Sequence, residues 1–349
     1  MVRKSASIEN NESYYLSVGD VVRNQVDYII SNNHRPIIIA GNGPSLKSID
    51  YSRVPKNAIV LRINNFYFED KYYLGNHADI IYIAGNTNVV KDSVNTLLNS
   101  LMRGEYTSHI YMARTSNIFD INPDYLPMVD VKKAFASNKK IRDYLAWRHM
   151  PPGVLPTSGM LALLSAIAFG FKDIYLAGID FYTGEDAYAY PIGINHAKLL
   201  GLTPGARGYV NKYHTYDVDF AALLFAKSLE GVSIKSICPG SFVSNHVELA
   251  AVVNKSPVTP AEKPDGYIRD FIPLPKQAAK PAPKTEQKIA PKEEVRRPTS
   301  TQIVPFDTSE ARLREYGAVK RAFVKIGREI LPPSIRTKGG KALRSAGIL

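Results

Sequence analysis

From residue 36 onward the chain alternates short, β-branched apolar runs with longer stretches of helical period, and this alternation restricts the fold more than any other feature. The runs cover 36–40, 58–63, 79–83, 109–113, 174–177 and 232–237, and helical spacing occupies 89–102, 138–148, 159–169 and 220–229. Several runs are apolar at nearly every position, as strands buried on both faces must be, and the helices between them supply the crossovers that parallel strands require. The pattern predicts an α/β fold with a doubly wound, mostly parallel sheet. Ligands of such sheets sit at the carboxyl ends of the strands, so the residues just after each run are the candidates for function.

Composition sets the outer limits. Of 349 residues, 45% are hydrophobic and 10% aromatic, enough for a substantial core. The single cysteine, Cys238, excludes a disulfide framework and any multi-cysteine zinc or iron–sulfur site. The net charge of +12 is unevenly spread: residues 256–349 carry 19 Lys and Arg against 10 Asp and Glu, which leaves residues 1–255 only +3. A near-neutral folded region speaks against a nucleic-acid enzyme. The beginning of the chain lacks the apolar stretch of a secretory signal, and the longest uncharged apolar segment, 159–171, is too short to span a bilayer.

The domain organisation follows from shifts along the chain. An N-terminal extension is expected over 1–35 and a catalytic or binding domain over 36–254. Within that domain, 181–214 is rich in Gly and Tyr with little periodicity and reads as a lid over the site. Nine prolines between Pro257 and Pro298 mark 255–310 as an extended, poorly packed linker. In 311–349, Leu313, Tyr316, Val319, Phe323, Ile326 and Ile330 fall at helical spacing, among ten Lys and Arg and two Glu. This is a basic amphipathic helix, suited to an anionic membrane surface or to docking on protein.

Several short segments carry candidate chemistry. Gly41-Asn42-Gly43-Pro44-Ser45 follows the first strand, where two glycines permit a sharp turn and free amides suit a phosphate. Leu46 stands where a dinucleotide fingerprint has its third glycine, and the second strand ends in Asn64-Asn65 instead of an acid, so an NAD site is disfavoured. Gly178-Ile179-Asp180-Phe181-Tyr182 follows the fifth run; Asp180 can accept from a ribose hydroxyl or a base amine, or cap the next element. Tyr182, Tyr188 and Tyr190 lie close together, with hydroxyls able to donate to a departing phosphate. Thr157-Ser158-Gly159 opens an apolar helix, as caps or as donors to a carboxylate. His214 stands where the lid returns into a helix, with an imidazole whose ordinary pKa suits a general base. Asp217-Val218-Asp219 has the spacing associated with metal-bound nucleotide sugars, yet a helix start enriched in Asp explains it equally, and no metal is assigned.

These segments together resemble the bacterial sialyltransferases of glycosyltransferase family 42, which decorate lipooligosaccharides. The likeness is carried by IIIAGNGPSLKSIDYSRVP (37–55), NNFYFEDKYYLG (64–75), TSG (157–159), GFKDIYLAGIDFY (170–182), CP (238–239) and DFAAL (219–223) after His214. It runs from about 36 to 250 in family order. What the resemblance implies is a Rossmann-like, GT-A-like fold and inverting, metal-independent transfer of sialic acid from CMP-sialic acid to a galactose- or sialic-acid-terminated glycan. It implies donor binding by Asn42, Gly43, Asn64, Asn65, Thr157, Ser158, Gly159, Gly178 and Asp180. It also implies leaving-group stabilisation by Tyr182 and Tyr188, with His214 as the base. No cofactor or metal is implied. Two positions depart from the pattern: Leu155, where better-known members have Arg, and Ala84, where some have Asn.

The same resemblance implies a cytoplasmic protein, peripheral on the inner membrane through its basic tail, with a homo-tetramer as the family's frequent assembly. The alternatives are a transferase for another CMP-activated nonulosonic or related acid sugar, and a nucleotide-binding or membrane-adaptor protein without catalysis.

Overall fold

In a computed structural model, the described residues are 20–84, 87–114, 127–148, 155–203, 215–254 and 260–273. Each of the six apolar runs forms a strand of one sheet: β1 (Ile37–Ala40), β2 (Ile59–Ile63), β4 (His77–Ile83), β5 (Thr107–Ala113), β7 (Asp173–Ala177) and β8 (Ser233–Ser236). Two-residue strands β6 (Val129–Asp130) and β9 (Glu248–Leu249) extend its edges, giving the order β6-β5-β4-β2-β1-β7-β8-β9 with every pairing parallel. The order grows outward in one direction from β1 to β6, then returns to place β7 beside β1. The switch point of this α/β sheet therefore lies between β1 and β7.

Both faces are covered, which is why β1 is buried at every position. Ile37 and Ile39 face a core shared with Leu61, Tyr82 and Met112, while Ile38 and Ala40 face another with Leu46, Tyr175 and Ile237. The helices are α1 (20–32), α2 (Thr87–Met102), α3 (Val131–Ser137), α4 (Lys139–Arg148), α5 (Ser158–Ala168), α6 (Ile194–Leu200) and α7 (Tyr216–Lys227). Helix α5 is buried from Met160 through Ile167, as expected for a helix apolar around its whole circumference.

Three boundaries differ from those expected. First, the residues assigned to an N-terminal extension include α1, which is part of the domain: Ile29 is buried in the core, and the Gln25 amide donates to Pro127 O at 2.9 Å and accepts from Tyr111 N at 3.0 Å. Second, the lid is largely packed structure as far as Thr203, because α6 forms within it and Ala187, Ala189, Tyr190, His196 and Ala197 are buried. Residues 204–214 lie outside the described residues. Third, packing does not stop at 254. Strand β10 (Ala261–Glu262) pairs antiparallel with β3 (Lys71–Tyr72), and Ile268 and Phe271 are buried among Phe66, Phe68 and Tyr106. The first part of the expected linker is thus a strap of the domain, and a cut at 255 would remove structural residues. Contacts separate the chain into Met1–Ala278 and Ala279–Leu349. The rest of the linker and the basic amphipathic helix lie outside the described residues.

The segment joining β2 to β4 is organised by a fully buried ion pair. Arg62 Nη2 meets Glu69 Oε2 at 2.5 Å, and Tyr106 donates to Glu69 Oε1 at 2.6 Å. The strap closes over this cluster: Lys263 donates to Tyr67 O at 2.7 Å and lies over the rings of Tyr72, Tyr106 and Tyr267 at 4.6–5.4 Å. Burial among rings pushes its amine down to about 8.

Candidate active site

At the switch point the loops after β1 and β7 are bonded to each other through their backbones. Gly41 N donates to Ala177 O at 2.9 Å, Gly43 N to Gly178 O at 2.8 Å, and Ser45 N to Asp180 Oδ2 at 2.9 Å. These contacts explain the glycines. A Cβ on Gly41 would stand 2.4 Å from Gly178 O, and one on Gly178, at φ +59°, would stand 2.6 Å from Gly41 O. The glycine turn was expected to offer free amides to a phosphate, but three of them serve the neighbouring loop instead. Asp180, expected to contact the nucleotide, reaches back through Oδ2 to the first loop; burial raises its pKa, opposed by hydrogen bonds from Ser45.

Asn42 joins a third strand to this junction. Its Nδ2 donates to Ile63 O at 2.9 Å, and its backbone O accepts from Ala189 N at 2.7 Å. Its Oδ1 is buried and has no partner among the described residues. A buried acceptor left unmatched is costly, so this oxygen marks a place for a donor from a ligand or water.

The two asparagines after β2 differ in role. Asn64 adopts φ +48°, accepts from Ala84 N at 2.8 Å and donates to Ser158 Oγ at 3.1 Å, so it ties the ends of β2 and β4 to the first turn of α5. Asn65 faces the interior, its Oδ1 accepting from Ser93 Oγ at 2.9 Å and Tyr67 OH at 3.2 Å. It acts on the packing of α2.

Thr157 is the N-cap residue of α5, yet its hydroxyl makes no capping bond; its backbone N donates to Asp219 Oδ1 at 2.6 Å. Asp219 comes from the first turn of α7 and is buried, whereas Asp217 is exposed. Two residues apart on a helix, they point to different sides and form no shared ligand pair. Burial pushes the Asp219 carboxyl up to about 7, against hydrogen bonds from Thr157. Gly159 follows in α5, where a Cβ would meet Ile179 at ordinary contact distance, and Leu155 is half-buried ahead of the turn.

Beyond β7 the backbone is strained. Phe181 and Tyr182 adopt φ +52° and +55°, a region costly for aromatic residues by about 1–3 kcal/mol each. Thr183 holds the bend, its N and Oγ1 both donating to Asp180 O, at 3.1 and 2.7 Å. The result sets Tyr182 at the surface beside Tyr188, ring centroids 6.4 Å apart and nearly perpendicular. Tyr188 in turn stacks on Tyr190 at 5.3 Å and lies 5.2 Å from the ring of His196. The structure thus brings together the tyrosines that the sequence singled out. His196 was not singled out; it is buried among Phe68, Tyr188, Tyr190 and Phe271, and burial pushes its imidazole down to about 4. His214 lies outside the described residues; Thr215, which follows it, is the N-cap residue of α7.

Comparison with known proteins gives this arrangement its relatives. Residues 35–292 match the family described as alpha-2,3-sialyltransferase (CST-I). Among solved structures, the monofunctional alpha-2,3-sialyltransferase Cst-I of Campylobacter jejuni is 30% identical with a TM-score of 0.62, covering 70% of this chain and 90% of that one. The sialyltransferase CstII of Campylobacter jejuni, in complex with the substrate analogue CMP-3FNeuAc, is 31% identical with a TM-score of 0.61, covering 69% and 95%. An uncharacterized protein of Haemophilus influenzae is 29% identical over 157 residues, which are 43% of this chain and 66% of that protein. The family match spans most of the chain and contains the whole β1–β7 junction with its paired tyrosines, and on that ground the chain belongs to the alpha-2,3-sialyltransferase (CST-I) family of glycosyltransferases.

Proposed function

We propose that the chain transfers sialic acid from CMP-sialic acid to a hydroxyl of a galactose- or sialic-acid-terminated glycan, with inversion and without a metal ion. One observation carries the reading: Tyr182, on a strained bend beyond the carboxyl end of β7, stands side by side with Tyr188. In this reaction the bond from the sialic acid anomeric carbon to the phosphate oxygen breaks, and its electron pair leaves on CMP. Hydroxyl donors placed where that charge develops lower the barrier more than they favour the ground state. The leaving group is a phosphate monoester, whose charge two phenols can meet.

The roles of Asn42, the glycines, the start of α5, Asp180 and Asn65 are supported by their placement, and that of His214 by the family resemblance. Asn42 offers its unmatched Oδ1 to the donor beside Gly43 and Gly178, whose backbones shape the floor. Ser158 and Gly159 present the start of α5 to the donor's carboxylate, with Asn64 and Thr157 fixing that turn. Asp180 and Asn65 hold this architecture from behind. His214 takes the proton of the acceptor hydroxyl as its oxygen attacks the anomeric carbon on the face opposite CMP.

Among the described residues no helix is long and apolar enough to cross a membrane. The basic, amphipathic pattern of 311–349 supports contact with an anionic membrane surface that carries a lipid-linked acceptor.

The test incubates purified protein with CMP-sialic acid and lactose-type acceptors, with and without EDTA, and follows CMP and sialoside. Equal product in both is expected. CMP binding without transfer or hydrolysis would overturn the assignment of sialic acid as the transferred sugar. Product lost with EDTA and restored by a divalent cation would overturn the metal-free mechanism.

A further inference from the structure

The strap over 260–273 reaches the wall beside the tyrosines through the Asp270 carboxylate and the Phe271 ring. Asp270 accepts from Asn195 N through Oδ2 at 2.8 Å, and from His196 N and Phe271 N through Oδ1 at 2.9 and 2.8 Å. Asn195 Nδ2 returns a bond to Phe271 O at 2.9 Å. Helix α6 has Gly193 as its N-cap residue and so brings no capping side chain of its own. The close approach of Asp270 accounts for that glycine, since a Cβ there would stand 2.2 Å from the Asp270 Cγ. A residue about 75 positions further along the chain thus caps the helix.

The strap is itself anchored on α2, where Asn95 Nδ2 donates to Ile272 O at 2.8 Å and Ile272 N donates to Thr96 Oγ1 at 2.9 Å. Phe271, beside Asp270, packs edge-on against His196 with centroids 5.0 Å apart. His196 lies 5.2 Å from Tyr188, whose other neighbours are Tyr190 in a parallel stack and Tyr182 at right angles. A continuous line of contacts therefore runs from α2 through the strap and α6 to Tyr188.

We infer that Asp270 is a positioning residue for the transfer reaction: by capping α6 it seats His196, and through that ring it fixes where the Tyr188 hydroxyl stands. The inference rests on Tyr188 serving as a leaving-group donor, as proposed above. A supporting residue of this kind touches no substrate, yet a displacement of about 1 Å in what it holds can lower a rate about 100-fold.

The experiment is a double-mutant cycle on the full chain with Asp270→Ala and Tyr188→Phe, reading kcat, the KM for CMP-sialic acid and the thermal midpoint of each variant. Asp270→Ala is expected to lower kcat by about 10–100-fold with little change in KM. In the Tyr188→Phe background the same substitution is expected to cost less than about 3-fold, because the hydroxyl it positions is gone. Equal losses in both backgrounds would overturn the inference alone, since a general weakening of the fold does not depend on one hydroxyl. Where Asp270→Ala fails to fold, Asp270→Asn carries the same cycle: its amide oxygen in the place of Oδ1 can keep the bonds from His196 N and Phe271 N while the bond from Asn195 N is lost, and a smaller, still non-additive loss is expected. Wild-type protein without transfer would overturn the functional reading, and this inference with it.

Discussion

The two sides of the site are held rigid by opposite means. On the β1 side, loops from neighbouring strands are bonded backbone to backbone, and what makes this possible is the absence of side chains at Gly41, Gly43 and Gly178. On the aromatic side, between Tyr182 and Leu200, the rings of Tyr188, Tyr190 and His196 pack against one another, and the helix that carries His196 is capped from a distant strap. The backbone bonds of the first side need only the pairing of β1 with β7. The second requires a segment that follows the last strand of the main sheet. A substitution on the first side therefore acts through local sterics, while the second can be loosened from far away.

The largest expected effect comes from removing the strap. A chain ending at 254 loses the burial of Ile268 and Phe271, worth about 1.5–3 kcal/mol each, and the Asp270 cap, worth about 1 kcal/mol. Its thermal midpoint should fall by about 10–20 °C, with transfer lost, while a chain ending at 278 should melt close to the full-length protein. Calorimetry on the two truncations checks this; equal midpoints would mean that the aromatic side stands without the strap. Next in size is Gly178→Ala. Its Cβ would press on a backbone oxygen in a left-handed conformation, so about 2–4 kcal/mol of stability should go, read by urea denaturation. Gly43→Ala sharpens the contrast. Its Cβ would fall 2.3 Å from a carboxylate oxygen of Asp180, a side chain that can move, and 2.9 Å from Gly178 O, a milder backbone approach than the 2.6 Å at Gly178 and without a left-handed φ. Stability should suffer less there and CMP affinity more, as titration calorimetry would show.

Most of the sheet was legible because strands buried on both faces and a helix as apolar as α5 write strong periods into the sequence. Strands β3, β6, β9 and β10 are two residues long and leave no period to read. The strap was hidden by its surroundings, since Pro260, Pro264 and Pro273 gave it the composition of a linker; the cluster Tyr267, Ile268, Phe271 and Ile272 was the signal against that reading. At the site, the glycine turn, the tyrosine group and Thr157-Ser158-Gly159 were identifiable as short segments after predicted strands or before a predicted helix. What their atoms bond to depends on strand order, and no local pattern carries that. So the local pattern points the amides of Gly41 and Gly43 at a ligand and pairs Asn65 with Asn64, although those amides bond to the β7 side and Asn65 faces inward. The separation of Asp217 from Asp219 needed only helical geometry: at about 100° per residue, positions i and i+2 diverge.

The smallest expected effect again sets the two sides against each other, through buried groups that titrate in opposite senses. On the β1 side the Asp219 carboxyl is pushed up from 3.8 to about 7, so between those values the folded chain holds a proton that the unfolded chain has lost, and stability falls as pH rises. On the aromatic side the His196 imidazole is pushed down from 6.5 to about 4, so there the unfolded chain holds the extra proton and stability rises with pH. Between about pH 4 and 6.5 the two slopes oppose each other; above pH 6.5 the remaining fall belongs to Asp219. Asp219→Asn removes the carboxylate's slope while keeping an oxygen for the Thr157 amide. Relative to wild type, the variant should gain about 2–3 kcal/mol between pH 5 and pH 8, measured by urea denaturation at both values. Parallel behaviour of the two proteins would mean that Asp219 ionises in the folded chain as it does in the unfolded one, and that the bond it makes to Thr157 costs the first side nothing to keep charged.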